Sequence, residues 1–190
     1  ARLELDGDGV VLNVPLSELL GGRVRDALPV AWVLASGDTA RDIAEGEKML
    51  DLRRHRIFKL KIGLRDVMDD VAHVLEIKRA LGERASVRVD VNQAWSETDA
   101  VRGIAALEAG GIDLIEQPVK AGNRAALARL TQRFDVAIMA DEALHGPADA
   151  LALAQADAAD VYAVKITQSG GLLPALEVAT VARLAGVGLY

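Results

Sequence analysis

The chain has 190 residues, 51% of them hydrophobic and 26% charged, enough to bury a sizeable core as one domain. Its net charge of −6 argues against a nucleic-acid or anionic-membrane partner, and no apolar run approaches the roughly 20 residues of a membrane span. With no cysteine there is no disulfide or thiolate chemistry, and with no signal peptide a cytoplasmic enzyme is the expectation.

Taken in chain order, residues 1 to 12 (ARLELDGDGVVL) alternate around Asp-Gly turn signals and predict a short hairpin. NVPLSELLGG (13 to 22) reads as a linker. The first β-branched run is PVAWVLAS (29 to 36), followed by helical periodicity over 39 to 54 that opens on Asp38-Thr39. RIFKLKI (56 to 62) predicts the next strand, and 67 to 82 a helix closed by Gly82. ASVRVDVN (85 to 92) precedes a helix opened by Ser96, Glu97 and Thr98, and IDLIEQP (112 to 118), VAIMADEA (136 to 143) and DVYAVKIT (160 to 167) are further strands. GVGLY (186 to 190) reads as the start of a seventh. This alternation predicts parallel strands with crossover helices. The fold class is therefore α/β: an incomplete TIM-type barrel of six βα units and the start of a seventh strand, against roughly 250 residues for a full barrel. The domain reading is an N-terminal segment over 1 to 22 and a partial barrel over 23 to 190.

Five of these strands end in charge. Lys61, Asp90, Glu116, Asp141 and Lys165 follow one another at intervals of 29, 26, 25 and 24 residues, with Lys59 two before Lys61. In a β/α barrel the strand ends converge on one mouth. Strand alternation puts Lys59 with Lys61, Arg88 with Asp90 and Asn92, and Lys165 with Thr167 on the inner face, while Phe58, Leu60, Ile62, Val89, Val91, Val164 and Ile166 face the helices. A single charge of this kind reads most simply as solvated or paired. Six at one period do not, because a barrel interior without function is filled by branched apolar residues. Three converging carboxylates repel unless a divalent cation sits among them. An ion of that kind makes proton removal beside a carboxylate feasible, and a lysine next to a second ammonium is lowered toward the pKa of a base. The remaining candidates are bland. His55 and His73 read as surface groups, Trp32 and Trp95 as packing residues, and Gly170-Gly171 as a tight turn; His145, just after the fifth strand, is at most near the mouth.

KLKIG, VRVDVNQAW, LIEQPV, IMADEAL and VKITQSGG, in that order, resemble the successive strand ends of the enolase superfamily in its muconate-lactonizing subgroup. PVAWVLASGDTARDI and RRHRIFKLKIG resemble the muconate and chloromuconate cycloisomerases in particular. The likeness runs from about Asn13 to Tyr190. It implies a metal-dependent isomerase, a cycloisomerase of aromatic-compound catabolism that interconverts a muconate and its lactone through an enolate. Asp90, Glu116 and Asp141 would be ligands to Mn²⁺ or Mg²⁺. Lys61 would be the catalytic lysine with Lys59 beside it, Lys165 would lie across the site, and Asn92 would bind substrate or a metal-bound water. Glu142, on the opposite face of the pleat, would orient a neighbour or form a salt bridge. The substrate would be a small dicarboxylate and the protein a homo-oligomer. Dipeptide epimerases and o-succinylbenzoate synthases share the lysine motifs and the carboxylates, and a non-catalytic metal-binding barrel fragment is the remaining alternative. In family members a capping domain closes the mouth and the last strands carry a further acid; residues 1 to 22 would be the remnant of that cap. Two unpaired sheet edges predict self-association.

Overall fold

The computed structural model describes residues 14–190, so the hairpin expected over 1 to 12 lies outside the described residues. The chain divides into two units, Ala1–Val30 and Ala31–Tyr190. In the first, Pro15 leads into a single helical turn, α1 (Leu16–Leu19), and Gly21 and Gly22 follow in the left-handed region at φ 101 and 97. The stretch expected to be a plain linker thus holds one helical turn, entered through a proline and left through glycines.

The second unit alternates strand and helix: β1 (Trp32–Leu34), α2 (Thr39–Asp51), β2 (Ile57–Lys61), α3 (Val67–Leu81), β3 (Ser86–Asp90), α4 (Glu97–Ala109), β4 (Leu114–Glu116), α5 (Arg124–Arg133), β5 (Ala137–Ala140), α6 (Pro147–Gln155), β6 (Val161–Tyr162), α7 (Ile166–Ser169), α8 (Leu172–Ala185) and β7 (Gly188–Leu189). The strands form one sheet in sequence order, every neighbouring pair parallel. That is the singly wound β/α order expected from the sequence. Among the described residues no helix is long and apolar enough to cross a membrane.

The register explains what the two faces do. Leu34, Leu60, Val89, Ile115 and Ile138 are aligned across five strands, all at most 1% exposed, and they pack under the helices. The next row, Lys61, Asp90, Glu116 and Met139, lies on the other face. A smaller apolar cluster of Leu114, Met139 and Ala163 lies on that inner face, where Lys59 and Arg88 align with Leu114. Helix ends follow their caps. Asp38, Asp66, Ser96 and Asn123 accept from the first-turn amides of α2, α3, α4 and α5, and Gly82 closes α3 at φ 60. In α3, Val67, Val71, Val74, Ile77 and Leu81 form the buried stripe of an amphipathic helix.

Three expectations need correction. The third strand stops at Asp90, because Asn92 and Gln93 turn left-handed at φ 46 and 67. The sixth covers only Val161–Tyr162, and Lys165 is the N-cap of α7, which carries Ile166 and Thr167 out of the sheet and leaves Ile166 exposed. Ser169 N–H donates to the Lys165 carbonyl at 2.8 Å, a helical turn in place of ladder pairing. His73 is not a surface group but is 8% exposed, with Nδ1 2.7 Å from Thr39 Oγ1 and Nε2 3.6 Å from Asp42 Oδ2. His55 is half-buried and stacks on Trp32 at 5.0 Å between ring centroids. Trp95 packs as expected, so close to Gly103 that a Cβ there would meet the ring at 2.7 Å.

Two stability measurements test this packing. Gly63, directly after β2, has φ 102, and a Cβ on it would lie 2.5 Å from Ala94 Cβ and 2.8 Å from the Val91 carbonyl oxygen. Gly63→Ala should lower the free energy of urea unfolding by about 2 kcal/mol or more, while Gly122→Ala, with open space around it, should stay within about 0.5 kcal/mol. Burial, helped by the nearby Arg65 charge, lowers the His73 pKa. A base lowered in the folded state gives stability that is present above the ordinary value of 6.5 and is lost as pH falls through it and then through the folded value. Between pH 7.5 and 5 the urea midpoint should therefore fall less in His73→Gln than in the parent. Parallel falls in the two proteins would refute this role.

Candidate active site at the strand ends

The parallel register places the ends of β2, β3 and β4 side by side, with Lys61 paired to Asp90 and Asp90 to Glu116. Asp141 follows β5 directly, and Lys165 follows β6. Asp90, Glu116 and Asp141 are 1%, 2% and 3% exposed, so their charges are taken almost wholly out of water. Such groups need partners. Lys59 supplies one: its Nζ lies 3.0 Å from Asp90 Oδ2 and bonds Glu116 Oε2. Lys165 bonds both oxygens of Asp141. Lys61 stays freer, its side chain 54% exposed, its Nζ 3.9 Å from Asp90 Oδ2 and donating to Asn92 Oδ1 at 3.5 Å.

The electrostatics follow from this packing. Burial pushes the Glu116 carboxyl up, and the bond to Lys59 pulls it back. Asp90 and Asp141 push it up again, leaving it at about 7. Burial alone would lower the Lys59 pKa, but Glu116 and Asp90 together raise it above the ordinary value. The sequence suggested that Lys59 stands as an uncompensated ammonium beside Lys61. Here its charge is spent on two carboxylates.

All seven residues singled out from the sequence lie at this mouth. Asn92 Nδ2 donates to Glu142 Oε1 at 3.2 Å, and Asn92 N–H donates to Asp90 Oδ1 at 3.0 Å. Glu142 does not sit on the far face of the pleat, because β5 ends at Ala140 and the chain has already turned there. His145 is exposed and pairs with Asp149 at 3.5 Å. Two glutamines went unnoticed in the sequence. Gln117, fully buried at φ 38, accepts the Asp141 and Ala143 amides at 3.0 and 3.1 Å on Oε1 and donates to the Val119 carbonyl at 2.9 Å. Gln168 Nε2 donates to the Asp141 and Leu144 carbonyls at 2.8 and 2.7 Å. Both fix the backbone of Asp141. Their only signal was position, one residue after Glu116 and three after Lys165.

Among the described residues no three acidic or histidine side chains already converge on one point closely enough to hold an ion. Lys59 stands between Asp90 and Glu116 instead, and Lys165 is bonded to Asp141. The donor set still fits a hard cation: three buried carboxylates from adjacent strands, in mutual electrostatic contact through Glu116.

Comparison with known proteins gives a consistent answer. The family model described as enolase C-terminal domain-like matches residues 41–190. The chain is 64% identical over 179 residues to muconate cycloisomerase 1 of Acinetobacter baylyi, covering 94% of this chain and 48% of that protein. It is 47% identical to a chloromuconate cycloisomerase of Pseudomonas putida, again over 94% of this chain and 48% of that one. Among solved structures, muconate lactonizing enzyme from Pseudomonas fluorescens complexed with muconolactone superposes with a TM-score of 0.91 at 61% identity, covering 93% of this chain and 47% of that one. The chain spans about half the length of the curated relatives it matches. A parallel sheet in sequence order, charged groups gathered at its strand ends and a family match over most of the residues agree that this chain belongs to the enolase C-terminal domain-like family.

Proposed function

We propose that these residues form the barrel part of a muconate cycloisomerase, an isomerase that interconverts cis,cis-muconate and muconolactone. One observation carries the reading: a half-exposed lysine, Lys61, stands 3.9 Å from Asp90 at the strand ends where Asp90, Glu116 and Asp141 are buried. The similarity to muconate cycloisomerases, closer than that to chloromuconate cycloisomerases, favours the unchlorinated substrate. Residues 1 to 22 read as the remnant of a capping domain, and a water-soluble dicarboxylate substrate suits a cytoplasmic enzyme.

Asp90, Glu116 and Asp141 would hold Mn²⁺ or Mg²⁺, which when bound supplies a Lewis acid for the charge that develops on the substrate carboxylate. The rest belongs to the chain. One carboxylate of muconate adds to the distal double bond, forming the ring C–O bond, and the carbon beside the other carboxylate takes up a proton. The Lys61 ammonium delivers that proton, and its neutral amine removes it in the reverse direction. Lys165, across the mouth, compensates negative charge on the opposite side. Lys59, buried between Asp90 and Glu116, balances the ligand carboxylates and does not reach for the proton. Asn92 offers its amide to substrate at the rim.

In the full-length protein, Lys61→Ala should lower turnover of cis,cis-muconate by about 10² or more while Mn²⁺ affinity changes little. Parental turnover would exclude Lys61 as the acid and base. The metal is tested without turnover: titration calorimetry with Mn²⁺ should give one site per chain, weakened about tenfold or more in Glu116→Gln. Unchanged affinity in that variant would remove Glu116 from the ligand set.

A further inference from the structure

Asn92 stands between two groups of opposite charge. Its Nδ2 donates to Glu142 Oε1 at 3.2 Å, and its Oδ1 accepts from Lys61 Nζ at 3.5 Å. A carboxylate can only accept, so Glu142 decides which way the amide faces: nitrogen toward Glu142, oxygen toward Lys61. The backbone beneath it is held in place. Asn92 is left-handed at φ 46 and its N–H is tied to Asp90 Oδ1. Flipped, the amide would aim N–H groups at an ammonium and repel it. Glu142 Oε2 is buried with no hydrogen-bond partner, which a surface acid serving only solubility would not accept. Lys61, for its part, has a four-carbon stem, a 54% exposed side chain and, among the described residues, Asp90 at 3.9 Å as its second partner, so little else there restrains its nitrogen.

We propose that Glu142 is a positioning residue: acting through the Asn92 amide, it holds the Lys61 ammonium at the mouth in the place from which the proton moves. This rests on the reading of Lys61 as acid and base. Orientation of this kind acts on turnover more than on binding, because a reacting group held in place removes an entropic part of the barrier.

The test uses the full-length protein with saturating Mn²⁺ and cis,cis-muconate. Glu142→Leu is expected to lower kcat about tenfold or more with KM and Mn²⁺ affinity within about threefold, and Glu142→Gln, whose amide oxygen still accepts from Asn92, to recover most of the loss. Added to Lys61→Ala, Glu142→Leu is expected to change the residual rate no further. A parental kcat in Glu142→Leu, a glutamine variant no better than the leucine one, or an equal additional loss in the Lys61→Ala background would each overturn the proposal. If Glu142→Leu does not fold, Asn92→Ala interrupts the same relay at an exposed residue and should lower kcat similarly; a parental kcat there overturns it as well. Lys61→Ala, measured alongside, fails separately: parental turnover in that variant sinks the reading of Lys61 itself.

Discussion

Three carboxylates withdrawn from water at the ends of neighbouring strands set the terms for everything around them. Placing one ionised carboxylate in such surroundings costs several kcal/mol, and three side by side add mutual repulsion. Positive charge must therefore be built in. Lys59 meets two of the acids and Lys165 the third, while Glu116, lying between Asp90 and Asp141, keeps the excess and holds its proton to about 7. Beneath them the inner face mixes charge and apolar side chains: Lys59 and Arg88 align with Leu114, which clusters with Met139 and Ala163. Of the three mouth lysines, Lys61 alone makes no carboxylate contact shorter than 3.9 Å among the described residues, and its side chain is 54% exposed.

The backbone is shaped to the same end. Asn92, Gln93 and Gln117 all adopt positive φ where strands meet the mouth, a conformation that costs non-glycine residues roughly 1–3 kcal/mol each. The turns are held by cross-strand bonds: Gln93 N–H to the Gln117 carbonyl, Ala121 N–H to Gln93 Oε1, and Gln117 to the amides around Asp141. A buried glutamine that satisfies three backbone groups at once makes the mouth rigid in a way surface loops are not.

Much of this was legible in the sequence because it is local. Alternating apolar residues fixed which side of β2 and β3 faces the helices, Asp38, Ser96 and Gly82 marked helix ends, and charge at the end of each apolar run marked the mouth. What escaped depends on partners far along the chain. His73 was read as exposed because nothing near it announces Thr39 or Asp42, which a neighbouring βα unit brings to it. Lys165 was read as a strand residue because DVYAVKIT alternates, yet the polar Thr167-Gln168-Ser169 stretch prefers a helical turn. Glu142 was assigned to the wrong face because alternation was carried past Ala140, where the strand ends.

The sequential order of the strands has a dynamic counterpart. Among the described residues each strand pairs with its sequence neighbours, so no long loop must close before the sheet can grow. The two-residue strands β6 and β7 offer the fewest ladder bonds, whereas β2 and β3 share a five-residue register with fully buried Phe58, Leu60, Val87 and Val89. Within this chain the longest shared register lies between β2 and β3, whose amides are expected to exchange most slowly. Lys59, Lys61 and Asp90 ride on this best-paired part of the sheet, while Lys165 follows the two-residue β6.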